Sequence, residues 1–300
     1  MSRAFYNMLT RDVHIAEKSW SVDEAFRYCE RLTRRHYENF PVASLFLSRE
    51  KRKHVAALYA FARTADDFAD EPGMTPAERI EAVNDWEEKL LLSRTVPARH
   101  PVFVALSHTI ERFEIPVDLL RNLLHAFRSD VTTSRYETFE QVLQYCQYSA
   151  NPVGRLVLIL FNYRSELLMQ YSDSMCTALQ LTNFWQDLSV DLLKNRVYLP
   201  QEDLRRFQYT EDELFAGEAT ENFRNLMKFQ VKRTEELFRK GKPLLTEVGK
   251  DLSLELRLTW NGGMRILRKI EQLNYNVLTQ RPVLTGIDKA SVLFSSLTQR

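Results

Sequence analysis

Residues that end or redirect helices are scarce in this sequence. Its 300 residues include eight glycines and ten prolines. A sheet protein of this size needs many tight turns, and glycine and proline supply most of the turn signals. No strand pattern of a length comparable to the helical segments is present. The sequence therefore predicts an all-α fold.

Several helix starts are marked by capping boxes. In this pattern a Ser or Thr side chain caps free backbone amides, and a Glu or Gln three residues later returns a hydrogen bond. The strings SVDE, TPAE, TFEQ and TEDE fit it, beginning at Ser21, Thr75, Thr138 and Thr210. Together with the helical periodicity of apolar residues, they predict helices at 21–37, 49–70, 76–93, 101–113, 116–130, 138–148, 152–167, 171–192, 201–206, 210–247 and 251–279.

The domain organisation follows from composition and from the absence of linkers. The chain is 44% hydrophobic, which is enough to bury a large core. It shows no internal repeat and no long segment of low complexity. We predict one domain over residues 1–300, with an N-terminal extension at 1–20 and a C-terminal segment at 283–300 that is a tail or a last short helix.

Charge and cysteine content exclude several function classes. The 41 basic and 40 acidic side chains nearly cancel, and no basic stripe is present, so a nucleic-acid partner is not expected. The three cysteines lack metal-ligand spacing, which favours buried reduced thiols and a cytoplasmic location.

The most apolar run, VGRLVLILFNY, is interrupted by Arg155 and is too short to span a bilayer. Any membrane contact is expected to be peripheral.

The string YAFARTADDFADE concentrates acidic residues at the end of a predicted helix. Asp66 and Asp70 lie one turn apart on the same face, and Arg63 stands one turn before Asp66. Carboxylates at this spacing repel each other, and they also lie near the negative end of the helix dipole. The stretch is either a solvated helix end or a cation site, because a bound cation would offset both costs.

A second acidic stretch, ALQLTNFWQDLSVDLLKNRVYLP, favours the cation site. Asn183, Asp187 and Asp191 recur every four residues, so they form one strip that Gln180 extends by a turn. Their apolar surroundings predict burial, and buried carboxylates without a cation are costly. Hard oxygen ligands of this kind suit Mg²⁺, which often binds together with phosphate oxygens. Two such helices facing each other would hold a diphosphate between them, with Arg196 taking part of its charge.

These strings resemble the squalene and phytoene synthase family, whose members couple prenyl diphosphates head to head on the class I terpenoid synthase fold. YAFARTADDFADE resembles the first aspartate-rich motif of the family, and LQLTNFWQDLSVDLLKNRVYLP resembles the second. YCQYSANPVG resembles its tyrosine-bearing helix in the middle of the chain. The resemblance extends from Ser21 to Pro282, and it implies a single-domain fold with a cavity between the helices.

Within the family, ENFPVAS, SANPVGRLVL and FWQD are most similar to the bacterial hydroxysqualene synthases of the hopanoid pathway. This similarity implies a carbon–oxygen lyase that ionises presqualene diphosphate and traps the rearranged cation with water. The products would be hydroxysqualene and diphosphate, without consumption of NADPH. The pathway context also allows contacts with the preceding synthase, with the following oxidoreductase and with the inner face of the membrane.

The resemblance also implies roles for individual residues. Two or three Mg²⁺ ions would be bound by Asp66, Asp70, Asn183, Asp187 and Asp191. The four aspartates of that set would be the catalytic carboxylates. Substrate contacts would come from Phe40, Tyr59, Arg63, Tyr145, Gln180 and Arg196.

The sequence departs from the family pattern at three places. Gln186 stands where many coupling enzymes have arginine, Asn151 and Pro152 replace small residues, and Gly262 and Gly263 lie where relatives often have tyrosine. An enzyme that receives an already coupled diphosphate needs fewer phosphate contacts, which agrees with these changes. The amides of Gln186 and Asn151 are candidates for positioning the water.

Two other functions stay open. One is a full synthase that makes presqualene diphosphate, dehydrosqualene or phytoene from prenyl diphosphates. The other is a non-catalytic helical assembly factor that keeps the fold without a metal site. The intact acidic residues argue against the assembly factor.

Overall fold

The computed structural model of the chain describes residues 19–35 and 48–298. Within these ranges the regular structure is helical, apart from an isolated β-bridge between Arg135 and Val197, so the predicted all-α fold is confirmed. In chain order the helices are α1 Val22–Arg35, α2 Arg49–Asp70, α3 Pro76–Leu92, α4 Pro101–Phe113, α5 Val117–Thr132, α6 Phe139–Ser149, α7 Asn151–Leu160, α8 Glu166–Gln186, α9 Leu188–Leu193, α10 Gln201–Arg206, α11 Glu211–Phe215, α12 Glu221–Gly241, α13 Leu244–Glu247, α14 Lys250–Gln272 and α15 Gly286–Thr298.

The helices fall into two compact units. The first runs to Thr132 and includes Leu156–Asn162, and the second comprises Thr133–Arg155 and the residues from Tyr163 onward. The prediction of one domain over residues 1–300 stays a prediction. Among the described residues, no helix combines the length and apolar character needed to cross a membrane.

In the first unit, α2 is the central helix and packs against α1, α3, α4 and α5. Its Phe61 is fully buried against Trp86 of α3 and Phe103 of α4. The Trp86 indole nitrogen donates a hydrogen bond to the Phe61 carbonyl oxygen at 3.2 Å. This core fixes α2, and with it the acidic end of that helix.

In the second unit, α8 is the central helix and packs against α6, α12, α13 and α14. Trp185 of α8 is fully buried and donates a hydrogen bond to the Thr234 hydroxyl of α12 at 2.8 Å. Gly263 of α14 lies so close to α12 that a Cβ atom there would stand 2.5 Å from the Phe238 ring. The close packing of these helices fixes the end of α8 that carries the second acidic stretch.

The predicted capping boxes are present, with one variation. Ser21, Thr75 and Thr210 each accept a hydrogen bond from the backbone of a Glu three residues on, whose carboxylate returns the bond. Thr138 also caps its helix, but the side chain of Gln141 accepts a hydrogen bond from the backbone of Glu137 instead.

Several predicted helix bounds are wrong. The segment 210–247 forms three helices, because Gly217 adopts a left-handed φ of 73° and Thr220 caps a new helix. The segment 152–167 ends at Leu160, before Asn162 at φ 62°, and 251–279 ends at Gln272, before Asn274 at φ 48°. Residues in the left-handed region interrupt the helical hydrogen bonds, and asparagine tolerates that conformation better than most residues.

Candidate active site

The acidic end of α2 is partly exposed and contains its own counter-charge. Arg63 lies 3.1 Å from the carboxylate of Asp66 and also forms an ion pair with Asp67. The Asp66 side chain is 39% exposed, and Asp70 is exposed. Burial raises the pKa of Tyr59, one turn before Arg63, and the arginine charge opposes that effect. The first predicted ligand pair therefore lies at the surface of the first unit.

The second acidic stretch is interrupted where the sequence predicts one helix over 171–192. α8 begins earlier, at Glu166, and ends at Gln186, and α9 begins at Leu188. The Asp187 amide donates a hydrogen bond to the Asn183 carbonyl oxygen at 2.8 Å, and the Asp191 amide donates to the Asp187 carbonyl oxygen at 2.9 Å. These bonds keep helical spacing through the interruption, so the three predicted ligands remain consecutive on one strip.

The predicted burial of this strip is only partly correct. Asn183 is exposed, the Asp187 side chain is 34% exposed, and Asp191 is half-buried. Burial raises the pKa of Asp191 to about 6, and the neighbouring charge of Asp187 adds to the shift. Arg196 and Lys194 act in the opposite direction. A cation bound to both carboxylates would relieve the same unfavourable interactions.

Arg281 is a site residue that the sequence patterns did not reveal. Its Nε lies 2.5 Å from a carboxylate oxygen of Asp187, which is 94 residues earlier in the chain. In the same segment, the Gln186 side-chain amide donates a hydrogen bond to the Pro282 carbonyl oxygen at 2.7 Å. The residues that precede α15 are therefore held against the junction between α8 and α9.

The structure places two of the other predicted substrate contacts, Tyr145 and Gln180. Tyr145 is buried, and its ring centre lies 6.0 Å from that of Phe184, which stacks on Tyr198 at 3.7 Å. Gln180 is partly buried on α8, three residues before Asn183. Phe40 lies outside the described residues, and the substrate contacts predicted for all three residues stay predictions.

The acidic residues fit Mg²⁺ through their chemistry. Among the described residues, no group of three or more His, Cys, Asp or Glu side chains could by itself hold a metal ion. Mg²⁺ is typically bound by one or two carboxylates, with waters and phosphate oxygens completing its shell. Each unit provides two carboxylates, from Asp66 and Asp70 in the first unit and from Asp187 and Asp191 in the second. The prediction that these helices hold a diphosphate between them stays a prediction.

The comparison with protein families gives an identification. A family model described as squalene/phytoene synthase matches residues 33–288. The chain belongs to the squalene/phytoene synthase family. Enzymes of this family act on prenyl diphosphates. The family predicted from the aspartate-rich motifs is confirmed.

Solved structures support the same family. The structure of squalene synthase HpnC from Alicyclobacillus acidocaldarius is 39% identical, has a TM-score of 0.81, and matches over 85% of this chain and 96% of that one. A dehydrosqualene synthase solved with a ligand is 25% identical, has a TM-score of 0.79, and matches over 92% of this chain and 96% of that one. The terpenoid synthase-like fold that the sequence predicts is confirmed.

Sequence relatives include several phytoene synthases. The enzyme of Arthrospira platensis is 28% identical over 277 residues, which cover 86% of this chain and 87% of that enzyme. The chain matches only 64% of the length of phytoene synthase 1 from Zea mays, which is also 28% identical. Relatives with different products are therefore similar to this chain, and the family alone leaves the product open.

Proposed function

We propose that this family member is a hydroxysqualene synthase. It would take presqualene diphosphate as its substrate and release hydroxysqualene and diphosphate. The proposal depends most on Gln186, which stands beside the metal-ligand candidate Asp187 where many coupling relatives have arginine. Its amide is engaged with the Pro282 carbonyl oxygen at 2.7 Å, which favours a structural role for this side chain over direct phosphate binding.

The proposed reaction needs no external reductant. The bond between the substrate carbon and the diphosphate oxygen breaks, the cyclopropane ring rearranges, and a water oxygen bonds to the resulting cation and loses a proton. Mg²⁺, when bound, would stabilise the charge that develops on the departing diphosphate. Asp66, Asp70, Asp187 and Asp191, with Asn183, would hold the two or three ions that we propose. No NADPH is expected.

Several side chains of this chain would orient the substrate and exclude water. Arg63 and Arg196 carry positive charge next to the two acidic sets and would contact diphosphate oxygens. The ring cluster formed by Tyr145, Phe184 and Tyr198 provides an aromatic surface of the kind that stabilises a carbocation. Phe40, Tyr59 and Gln180 are the remaining proposed substrate contacts.

The residue that positions the water is a separate hypothesis. The Asn151 side-chain oxygen accepts a hydrogen bond from the Thr177 hydroxyl at 2.9 Å, and Gln186 is bonded to Pro282. Each amide therefore already has a protein partner that fixes its orientation. If Gln186→Leu still forms the alcohol at the wild-type rate, Gln186 has no part in positioning the water.

A full synthase is the main alternative, and one contact favours it. Many coupling relatives have an arginine where this chain has Gln186. Arg281 lies against the neighbouring Asp187 and supplies a positive charge in place of that arginine. The similarity to phytoene and dehydrosqualene synthases points the same way. A non-catalytic assembly factor would be favoured if no prenyl diphosphate were turned over in the presence of Mg²⁺.

Product analysis distinguishes these functions. The purified protein is given Mg²⁺, no nicotinamide, and either presqualene diphosphate or farnesyl diphosphate, and the extract is analysed by mass spectrometry. We expect a triterpene alcohol from presqualene diphosphate and no product from farnesyl diphosphate. Coupling of farnesyl diphosphate would instead identify a full synthase.

A matched pair of variants tests the metal site in the same assay. Asp187→Asn is expected to reduce turnover at least about a hundredfold, because it removes a charged ligand that stabilises the leaving group. Asp85→Asn is the control, since Asp85 is a half-exposed carboxylate on α3 that forms an ion pair with Lys89. Equal activity of the two variants would exclude Asp187 as a ligand.

We propose a cytoplasmic location, in agreement with the three free cysteines. The enzymes that supply presqualene diphosphate and reduce the alcohol are the proposed neighbours in the reaction sequence. We expect no interaction with nucleic acid.

A further inference from the structure

The last helix, α15, is attached to the second unit through its polar residues. Asp288 is buried and forms ion pairs with Arg265 and Lys269 of α14, at 2.6 and 2.7 Å. Further along α15, the buried Ser296 hydroxyl accepts a hydrogen bond from the Asn261 side chain at 2.9 Å. Surface helices normally turn their apolar side inward. In α15, polar contacts attach the inner face of the helix to α14.

The outer face of α15 is apolar. Ile287 is 82% exposed, Phe294 is 70% exposed and Leu297 is 61% exposed. Ala290 is exposed as well, so the spacing of these side chains follows one side of a helix. Leu293, which is 42% exposed, widens the same face. A surface of this kind on a soluble protein usually marks an interaction site.

We infer that α15 docks this enzyme onto a lipid bilayer that contains anionic headgroups. The outer face of α15 would lie in the plane of the interface, with its apolar side chains among the acyl chains. The inference goes beyond the proposed reaction, since it depends only on the surface of α15 and the segment before it.

Charge identifies lipid with anionic headgroups as the occupant. Asp288 is the one acidic residue in Gly286–Thr298, and its burial with two cations removes it from the outer surface. Lys289 is exposed beside the apolar face, and the cluster of Asp288 with Arg265 and Lys269 keeps one net positive charge next to the helix. Apolar side chains bordered by exposed cations are typical of helices that bind anionic membranes.

Apolar exposure continues on the segments next to α15. Val283 is half-exposed immediately after Pro282, which contacts Gln186 at the end of α8. Leu193, at the end of the adjoining α9, is 88% exposed. Both segments meet at Asp187, through its ion pair with Arg281. Docking would therefore bring the second acidic set close to the lipid surface.

Vesicle sedimentation tests the inference with the full chain. Vesicles of phosphatidylcholine with phosphatidylglycerol are compared with vesicles of phosphatidylcholine alone. We expect the wild type to bind the anionic vesicles. The partition coefficient of the variant Ile287→Ser/Phe294→Ser/Leu297→Ser onto these vesicles should be lower by at least about tenfold. Leu92→Ser on α3 is the matched control, because Leu92 is 54% exposed, and it should bind like the wild type.

A second measurement guards against a folding defect in the triple variant. Phe294→Trp places an indole on the outer face, and its emission should shift to shorter wavelength when anionic vesicles are added. Leu92→Trp should show no such shift. The inference is overturned if the wild type does not bind, if the triple variant binds equally well, or if Phe294→Trp gives no shift. It is also overturned if the triple substitution converts a dimer to a monomer while vesicle binding is absent.

Discussion

Two adjacent glycines in α14 have different surroundings. A Cβ atom on Gly263 would meet the Phe238 ring at 2.5 Å and Leu179 at 3.0 Å. A Cβ atom on Gly262 would have no neighbour within 4 Å. The sequence shows the pair only as a departure from the tyrosine found in relatives. The structure shows that Gly263 is required by helix packing.

We therefore expect opposite effects from two alanine substitutions. Gly263→Ala should lower the free energy of unfolding by about 1–3 kcal/mol, because the added methyl group overpacks the contact between helices. Gly262→Ala should raise it by up to about 1 kcal/mol, because alanine favours helix more than glycine does. Urea denaturation measures both, and equal stability of the two variants would contradict the packing argument.

A buried carboxyl group in α14 should make stability depend on pH. Burial raises the pKa of Glu255 from 4.5 to about 7. Between those values the folded chain holds a proton that the unfolded chain releases, so stability falls as pH rises through this window. Above about pH 7 the loss is complete.

Replacing this group should remove that pH dependence. Relative to the wild type, Glu255→Gln should gain stability on going from about pH 4 to about pH 8, by on the order of 3 kcal/mol. The difference between the two unfolding free energies isolates this group, because other titrations are common to both proteins. Parallel pH profiles would show that Glu255 titrates normally in the folded state.

At the scale of elements, the junction between α8 and α9 is where a distant segment meets the proposed metal site. Arg281 occupies one oxygen of Asp187 and competes there with any other cation. Because the pair is partly exposed, its removal should have a modest effect. We predict that Arg281→Gln lowers the Mg²⁺ concentration needed for half-maximal thermal stabilisation a few-fold.

The control for that experiment is Arg268→Gln, which removes an exposed arginine from α14. It should leave the Mg²⁺ titration as in the wild type. Unchanged or weaker Mg²⁺ binding by Arg281→Gln would show that Arg281 does not compete with the metal. In the background of Asp187→Asn, the effect of the Arg281 substitution should disappear.

Helix bounds were predictable where local signals decide them. The predicted 49–70, 101–113 and 201–206 coincide with α2, α4 and α10. The prediction of 210–247 as one helix is wrong because the apolar periodicity continues across Gly217, whereas the helix does not. The interruption at Asp187 leaves the hydrogen-bond spacing nearly intact, so no residue pattern marks it.

The candidate site was predictable only within each helix. The carboxylates of α2 and the strip from Asn183 to Asp191 follow from helical spacing, and the structure retains that spacing. Arg281 could not be found in this way, since it reaches Asp187 from 94 residues away. The outer face of α15 was missed because Asp288 and Ser296, which look like surface residues, are buried.

At the scale of the whole molecule, the chain has the fold and family of enzymes that act on prenyl diphosphates. Its first acidic set lies in one compact unit and its second in the other. We propose that Gln186 and Arg281 are the residues that distinguish a hydroxysqualene synthase from a full synthase. Those functions differ in whether the enzyme couples two prenyl diphosphates and in whether a water molecule ends the reaction.

The most direct test follows the oxygen atom of the product. The wild-type protein is given presqualene diphosphate and Mg²⁺ in water labelled with heavy oxygen, and the extracted product is analysed by mass spectrometry. Hydroxysqualene carrying one oxygen from the labelled water is the predicted result. A hydrocarbon product, or an alcohol that keeps the unlabelled oxygen of the substrate ester, would contradict the proposal.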